Sequence, residues 1–263
     1  MDLPRSPKAS EVPILTFHKV DRRFEWGVTR IAPRGFRKVL AFLKNEGYQT
    51  VSLASLSDPA AALPQKPIVL TFDDSYESLY DNALPVLREF GFSGTIFVVT
   101  GYVGNLNHWD VNLGWITFRH LSWGQLEAFR EASFEIESHT VHHPDLTRVD
   151  VSKLESEMAD SKKSIEDKTG VRVRFLSFPF GRYNPRVLDL MQKCGYERGV
   201  GFRVRKQADK SLVFERRAYY LFDGIWNLKA KLARNALTLL EDVKLRGINF
   251  CSRGTALVKP HRD

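Results

Sequence analysis

Two pairs of polar residues in this 263-residue chain have the types and spacing needed for metal-assisted chemistry. Asp73 and Asp74 directly follow an apolar run, and His139 and His143 lie four residues apart after a second short apolar segment. One turn of helix would place two imidazoles with this spacing on one face, where they can bind one metal ion. With Asp74 as third ligand, the set becomes two histidines and a carboxylate, a common catalytic arrangement for zinc and other divalent metals.

The two carboxylates can have different roles because neighbouring residues on a strand point to opposite faces. His142, between the two candidate ligands, would point away from the metal and be exposed. Each feature also has a simpler interpretation: Asp74 or Ser75 could cap a helix at 77–90, and loop histidines make ordinary hydrogen bonds. The position of both pairs after predicted strands favours the metal site.

A third segment, residues 175–184, begins as a predicted strand and ends in a Pro-Phe-Gly turn at 179–181. Proline removes a backbone donor, and glycine permits close approach to the backbone. A free N–H on such a turn could hold an oxyanion. Because Pro-x-Gly is also an ordinary turn, this segment by itself is weak support for any chemistry.

Alternating strands and helices must position these residues. Strands are predicted at 12–17, 48–53, 67–72, 94–99, 134–137, 173–178, 196–201 and 214–221, and helices at 34–46, 77–90, 123–131, 151–168, 185–193 and 226–246. Residues 54–66 are a predicted loop with one helical turn, and the irregular segment 101–120, with Trp109 and Trp115, could cover a site. About seven alternations predict parallel strands with right-handed crossovers, and ligands bind at the carboxyl ends of such strands.

Composition and charge narrow the possible partners. Hydrophobic residues make up 43% of the chain, and no run approaches the ~18–20 apolar residues of a membrane span. The 39 basic and 31 acidic side chains give a net charge of +8, which suits an anionic partner such as a membrane surface. No RNA- or DNA-binding motif is present, so we expect no nucleic acid partner.

We predict a single domain at residues 12–250, between a disordered leader at 1–11 and a polar tail at 251–263. The first residues lack the apolar core of a signal peptide, which predicts a cytoplasmic or membrane-peripheral location unless a leader was removed. Cys194 and Cys251 lack the spacing of a metal or redox motif and are expected to be reduced thiols, with a disulfide between them as the alternative.

Three motifs, in this order, resemble those of the polysaccharide deacetylase family, the NodB-homology domain of carbohydrate esterase family four. TFDD at 71–74 is similar to its first motif, HTVHH at 139–143 to its second, and residues 174–181 to a degenerate form of its third. The start LTFHKV at 15–20 is similar to a branch that includes the deacetylases of poly-β-1,6-N-acetylglucosamine. The resemblance covers about residues 12–225.

This resemblance implies an α/β fold, a distorted (β/α)7 barrel similar to the TIM barrel. It implies one divalent metal ion held by Asp74, His139 and His143. Zinc is the expected ion, and cobalt, nickel or iron would suit the same ligands.

The resemblance also implies the reaction, which is removal of N-acetyl groups from saccharides that contain N-acetylglucosamine, with release of acetate. Asp73 would be the general base toward the attacking water. The N–H of Phe180, next to Gly181, would help to hold the oxyanion of the tetrahedral intermediate.

The sequence departs from the family pattern at several positions. Ser75 stands where a glycine is usual, and Ser177 occupies the place of the arginine that orients the base. The C-terminal leucine–histidine motif that supplies the general acid is absent, because His261 lies in the polar tail. In the similar branch an N-terminal histidine takes that role, so His18 is the predicted general acid, with His120 as main competitor and a purely structural His18 as the alternative.

Two other functions stay open on the sequence alone. One is a deacetylase or deformylase of a lipid-linked sugar at the membrane face, with the basic stripe of the predicted helix 226–246 as a possible contact to anionic lipid. The other is a carbohydrate-binding protein that has lost catalysis, as the departures at the third motif would allow. The alternative for the helix is a barrel helix with a solvated basic face.

Overall fold

A ring of parallel strands forms the centre of the computed structural model, which describes residues 8–23, 28–107, 117–202 and 211–233. The strands are β1 (Ile14–Phe17), β2 (Lys19–Val20), β3 (Arg30–Ile31), β4 (Gln49–Thr50), β5 (Pro67–Phe72), β6 (Thr95–Val98), β7 (Glu135–Ser138), β8 (Phe175–Ser177), β9 (Arg198–Gly201), β10 (Val213–Glu215) and β11 (Arg217–Ala218). The ring runs β10-β9-β8-β7-β6-β5-β1-β11, β4 pairs with β5, and β2 pairs with β3. Every pairing is parallel within the described ranges.

The segment that contains β10 and β11 nearly closes the ring. β10 pairs with β9, β11 pairs with β1, and only Arg216 separates these two short strands. The result is a nearly closed barrel of parallel strands with helices, which confirms the predicted (β/α) barrel of TIM-like form. Closure also brings β11, which lies late in the sequence, next to the first strand.

Alternate residues along the strands build an apolar layer and then a polar layer. The apolar layer is a cluster of buried side chains from six strands and from the neighbouring short helix at residues 53–57: Ile14, Leu53, Leu56, Val69, Phe97, Phe175, Val200 and Phe214. Two residues further along four of these strands lie the buried polar side chains Thr16, Thr71, Ser177 and Arg216. The hydroxyl oxygens of Thr16 and Thr71 are 2.8 Å apart. The polar layer therefore lies toward the carboxyl ends of the strands.

The helices follow from apolar periodicity and from capping residues. They are α1 (Pro33–Asn45), α2 (Leu53–Ser57), α3 (Leu84–Phe90), α4 (Trp123–Glu131), α5 (Val151–Thr169), α6 (Pro185–Lys193) and α7 (Ile225–Ala233). The side chains of Ser122, Asp150 and Asn184 cap α4, α5 and α6 by accepting backbone N–H groups, and left-handed Gly91 and Gly170 end α3 and α5. Their apolar faces join the other faces of the strands in one large core.

Several element predictions need correction. The strand predicted at 48–53 is only Gln49–Thr50, because the Ser52 side chain caps α2 at that point. The helix predicted at 77–90 begins as a π-helical turn, Leu79–Ala83, before α3. The short strands β2 and β3 were not predicted. Residues 9–11, expected in the leader, form a 3-10 turn.

Parts of other predictions lie outside the described residues. These are residues 1–7 of the leader, 234–246 of the last helix, the tail at 251–263 with Cys251 and His261, and both tryptophans of the 101–120 segment. Cys194 is a free thiol. Among the described helices, none is both long enough and apolar enough to cross a membrane.

Candidate metal centre and active site

The carboxyl ends of β1, β5, β7 and β8 deliver the polar residues of the site. Backbone pairing continues one residue past two of these strands, since the Asp73 N–H donates to the Phe17 carbonyl at 2.9 Å and the His139 N–H donates to the Val98 carbonyl at 2.8 Å. Asp73 and His139 are therefore fixed in register with the barrel wall. Both side chains are buried.

Asp74 turns toward the same space as Asp73, contrary to the expectation that strand alternation would separate them. Asp74 and Ser75 adopt left-handed backbone angles, with φ of 65° and 51°, which non-glycine residues adopt at an energetic cost. Neighbouring chain holds this turn: the Leu121 N–H donates to the Ser75 carbonyl at 2.7 Å, and His120 Nδ1 lies 2.6 Å from the Asp74 carbonyl oxygen. Ser75 thus takes, with strain, the conformation that a glycine would take freely.

His139 and His143 come together through a turn rather than through the helical turn that their spacing suggested. Residues 139–143 lie between β7 and α5, and Thr140 and His143 have left-handed φ values of 69° and 58°. The hydroxyl of Thr140 accepts the N–H of His143 at 3.0 Å. This turn reverses the chain and aims both imidazoles at Asp74.

Distances within the Asp74, His139 and His143 cluster fit a single metal ion. Asp74 Oδ1 lies 3.4 Å from His139 Nε2 and 3.5 Å from His143 Nε2, and one ligand atom from each residue falls within 4.8 Å of the others. Two ligands bonded at ~2.0–2.1 Å in tetrahedral geometry are about 3.3–3.5 Å apart. Asp74 Oδ1 is buried and accepts no hydrogen bond of normal geometry from the described residues. The donor set therefore fits a divalent cation.

The tautomer of His139 suits binding of a divalent cation. His139 Nδ1 lies 2.9 Å from the carbonyl oxygen of Ser177 and donates its proton there, which leaves Nε2 unprotonated toward Asp74. Burial lowers the pKa of His143 to about 4, so its imidazole is neutral at neutral pH. Burial disfavours ionised Asp74, but the close imidazoles of His139 and His143 outweigh it and lower the pKa of Asp74.

His18 reaches the same cavity from β1. Its Nε2 lies 3.9 Å from Asp73 Oδ2, and His139 Nε2 lies at the same distance from that oxygen. His120, its competitor for the general acid, is fully buried and packs against the rings of Tyr76 and Tyr102. It contacts the backbone carbonyl of Asp74 rather than the carboxylates of Asp73 and Asp74, which favours His18 as the candidate acid.

The third motif packs beside His143. Phe180 has a left-handed φ of 58°, and its ring lies 4.8 Å from the His143 ring in an edge-to-face contact. Gly181 also has positive φ, and a Cβ atom there would come within 2.3 Å of the Phe202 ring. Arg182 donates to the Asp145 carboxylate at 2.6 Å and so ties this turn to residues 139–150, the loop between β7 and α5, which we call the histidine loop.

Arg216 is a residue of the site that we did not predict from the sequence. It is fully buried, and its two Nη atoms donate to the two carboxylate oxygens of Asp73. Nη2 also donates to Ser177 Oγ at 2.8 Å. Strand alternation offered a signal, because Arg216 shares a face with Phe214 and Ala218.

Glu157 of α5 is a second missed residue. Its carboxylate is buried and accepts the N–H of Val141 at 2.9 Å and the N–H of His142 at 2.8 Å, while its other oxygen lies 2.8 Å from His142 Nδ1. The available signal was a carboxylate within the apolar stripe of a helix, beside Leu154 and Met158. Glu157 holds the histidine loop, and the half-exposed His142 faces Glu157 and not the Asp74 cluster, as predicted.

A family model for polysaccharide deacetylase matches residues 60–199. The chain belongs to the polysaccharide deacetylase family. YxkH of Bacillus subtilis (strain 168), named for this family, is 31% identical over 199 residues, which cover 74% of this chain and 66% of the relative. The poly-beta-1,6-N-acetyl-D-glucosamine N-deacetylase of Staphylococcus aureus (strain MRSA252) is 27% identical over 55% of this chain and 50% of its own length.

Solved structures of the family share the fold. The Streptococcus pyogenes deacetylase PplD in complex with acetate aligns with a TM-score of 0.72 and 25% identity, over 84% of this chain and 97% of that one. IcaB from Ammonifex degensii aligns with a TM-score of 0.64 and 22% identity, over 79% of this chain and 91% of its own. The aligned part of this chain spans only about half to two thirds of the length of the curated relatives it matches.

Proposed function

We propose that this chain is a metal-dependent hydrolase that removes N-acetyl groups from poly- or oligosaccharides containing N-acetylglucosamine and releases acetate. One observation carries the proposal: the buried cluster of Asp74, His139 and His143 lies beside a second carboxylate, Asp73, which is ready to accept a proton. Amide hydrolysis needs both a Lewis acid site and a base next to it.

A divalent ion bound by Asp74, His139 and His143 would polarise an amide carbonyl and make water more acidic. Asp73 is the general base in this proposal. Burial disfavours its ionised form, but the positive charge of Arg216 outweighs burial and lowers the pKa of Asp73. Its carboxylate is therefore ionised at neutral pH and can accept a proton from water.

His18 is the general acid in this proposal. Burial lowers the pKa of His18, so its ring is neutral at neutral pH and can take up the proton that Asp73 has accepted, across the 3.9 Å between them. A protonated His18 would then donate to the departing sugar amine. The backbone N–H of Phe180, next to Gly181, would hold the oxyanion.

The substrate class is supported by the names of relatives. The Staphylococcus aureus relative is named for poly-β-1,6-N-acetyl-D-glucosamine, and the PplD structure is described as a complex with acetate. Zinc is the proposed ion, because two imidazoles and one carboxylate with open positions suit it. Cobalt, nickel and iron would suit the same donors.

The other two functions receive less support. Leu228 and Lys231 of α7 are buried, and Lys231 Nζ lies 3.3 Å from the Asp223 carboxylate, so this part of the predicted basic stripe faces protein rather than lipid. Asp73 has an arginine partner although Ser177 replaces the family arginine, which favours catalysis over simple carbohydrate binding.

Metal analysis combined with acetate release tests the proposal. The wild-type chain should bind one divalent ion and release acetate from N-acetylglucosamine oligomers. Asp73→Asn should keep the ion and lose about 10²–10⁴-fold in kcat, whereas the exposed Asp160→Asn on α5 serves as matched control and should stay active. Stoichiometric metal without acetate release from any N-acetylated or N-formylated saccharide would reject the proposed activity, and near-normal kcat in Asp73→Asn would remove Asp73 from the mechanism.

A further inference from the structure

We propose that Arg216 is the positioning residue for the Asp73 carboxylate, a role that the family pattern would give to the residue at Ser177. The inference rests on the proposed deacetylase function and deepens it. The family pattern places the arginine on β8, whereas this chain has one at the junction of β10 and β11, where β9 separates β10 from β8, and its side chain enters the same buried space.

Backbone geometry directs the Arg216 side chain inward. Its N–H donates to the Gly201 carbonyl at 2.9 Å, which continues the pairing of β10 with β9. Strand alternation then places Arg216 on the same face as Phe214, whose side chain belongs to the apolar layer inside the barrel. The Arg216 side chain extends inside the barrel to Asp73, which follows the carboxyl end of β5.

The guanidinium is fixed by contacts on several sides. Besides the two bonds to Asp73 and the one to Ser177, Nη1 lies 3.4 Å from the hydroxyl of Thr71. Its Cζ lies 5.5 Å from the ring centre of Phe97 and 5.0 Å from that of Phe202. An arginine held in this way has one orientation available.

A paired arginine fixes the plane of the carboxylate as well as its charge. Each Asp73 oxygen accepts one N–H, so the carboxylate cannot rotate without breaking a charge-assisted bond. The remaining lone pairs of Oδ2 then face His18 and His139, which lie 3.9 Å away on the side of the metal cluster. Lysine, a point charge with no planar pair of donors, would balance the charge without fixing the plane.

The Ser177 hydroxyl completes the arrangement. Its Oγ accepts from Arg216 Nη2 and lies 3.4 Å from Asp73 Oδ1. The small side chain at 177 leaves the space that the Arg216 side chain occupies. A serine at 177 and an arginine at 216 are therefore complementary.

Steady-state kinetics separate a positioning role from a structural one. Arg216→Lys should keep metal content, folding and KM close to wild type while kcat falls about 10–100-fold. Arg216→Ala should lose more, and added guanidinium ion should restore part of its kcat. Arg217→Lys is the matched control, because that neighbouring side chain donates to backbone carbonyls of α7 at 3.0–3.4 Å instead of the site, and it should show neither effect.

Exchanging the two positions provides a second test. Ser177→Arg combined with Arg216→Ser should recover kcat relative to Arg216→Ser alone, because β8 would then supply the donors. Full kcat in Arg216→Lys, or parallel loss of metal and kcat in every Arg216 variant, would overturn the positioning role. An inactive wild-type chain would instead count against the proposed function. In that case crystal structures decide: a rotated Asp73 carboxylate in Arg216→Lys supports the inference, and an unchanged one overturns it.

Discussion

Replacing Glu157 tests whether the histidine loop depends on α5 for its shape. The perturbation is Glu157→Gln, which keeps the size of the side chain and removes its charge. Glutamine can still accept the two backbone N–H groups of Val141 and His142 through its carbonyl oxygen, but its NH₂ group faces the ammonium of Lys153, which lies 3.0 Å from the carboxylate in the wild type.

The expected cost follows from the contacts. Hydrogen bonds to a charged acceptor contribute ~1.5–3 kcal/mol and those to a neutral one ~0.5–1.5 kcal/mol, so weakening two of them costs about 2 kcal/mol. The half-exposed Lys153 adds at most about 1 kcal/mol. We therefore expect Glu157→Gln to lower the free energy of unfolding by ~2–3 kcal/mol. Because outer contacts orient metal ligands, metal affinity should also fall ~10–100-fold.

Urea unfolding and competition with a chelating dye measure these two effects. The control is Glu155→Gln, an exposed residue on the same helix, for which we expect little change. If Glu157→Gln loses no more stability than this control and keeps wild-type metal affinity, Glu157 does not hold the loop.

The loss of stability in Glu157→Gln should also depend on pH in a defined direction. Burial disfavours ionised Glu157, but hydrogen bonds from His142 and Lys153 outweigh it, and the pKa of the carboxyl is lowered from its ordinary 4.5. A lowered pKa means that the carboxylate stabilises the fold above pH 4.5, and that this contribution is lost as pH falls through the folded pKa. The stability difference between wild type and Glu157→Gln should therefore be full at pH 7 and shrink below pH 4.5. A difference that stays constant with pH would contradict this assignment.

Three further predictions concern the ligands, the acid and the barrel wall. The double variant His139→Ala/His143→Ala should bind no divalent ion at stoichiometric concentration while its circular dichroism stays native, and full occupancy would refute the ligand assignment. His18→Ala should keep the metal and lose more turnover on an N-acetyl sugar than on an activated substrate with a better leaving group, whereas equal losses would make His18 structural. Gly199→Ala should lower the free energy of unfolding, measured in urea, by ~1–3 kcal/mol or more, because its Cβ would lie 2.1 Å from the Phe178 ring. Wild-type stability in this variant would show that the barrel wall can rearrange to make room for the methyl group.

Local sequence signals were sufficient for most of the fold. The apolar run at 67–72 became β5, and the helices predicted at 123–131 and 185–193 match α4 and α6 in both bounds. In these helices a capping serine or asparagine and an apolar stripe act within a few residues of each other. Local patterns failed where backbone strain or a cap replaced regular structure, as at Ser52 and at the Asp74 turn.

The residues of the proposed metal site were predictable as residue types but not as geometry. A four-residue spacing suggested a helix, yet left-handed Thr140 and His143 achieve the same convergence in a turn. Arg216 and Glu157 escaped prediction because each acts on a residue distant in sequence. Arg216 meets its partner Asp73 only when the segment with β10 and β11 takes its place in the ring. Glu157 meets His142 only when α5 packs against the histidine loop.

The position of Arg216 between β10 and β11 links the order of folding to the appearance of activity. The pairing of Leu15 with Arg217 joins opposite ends of the described chain, and contacts of such large sequence separation have the greatest loop-closure cost and form slowly. Asp74, His139 and His143 all precede this segment and could assemble first. A partly opened molecule with the 213–218 segment detached would then hold its metal ligands but leave Asp73 without its arginine. Turnover during refolding should therefore lag behind metal uptake, and the length of that lag would report the time at which the ring closes.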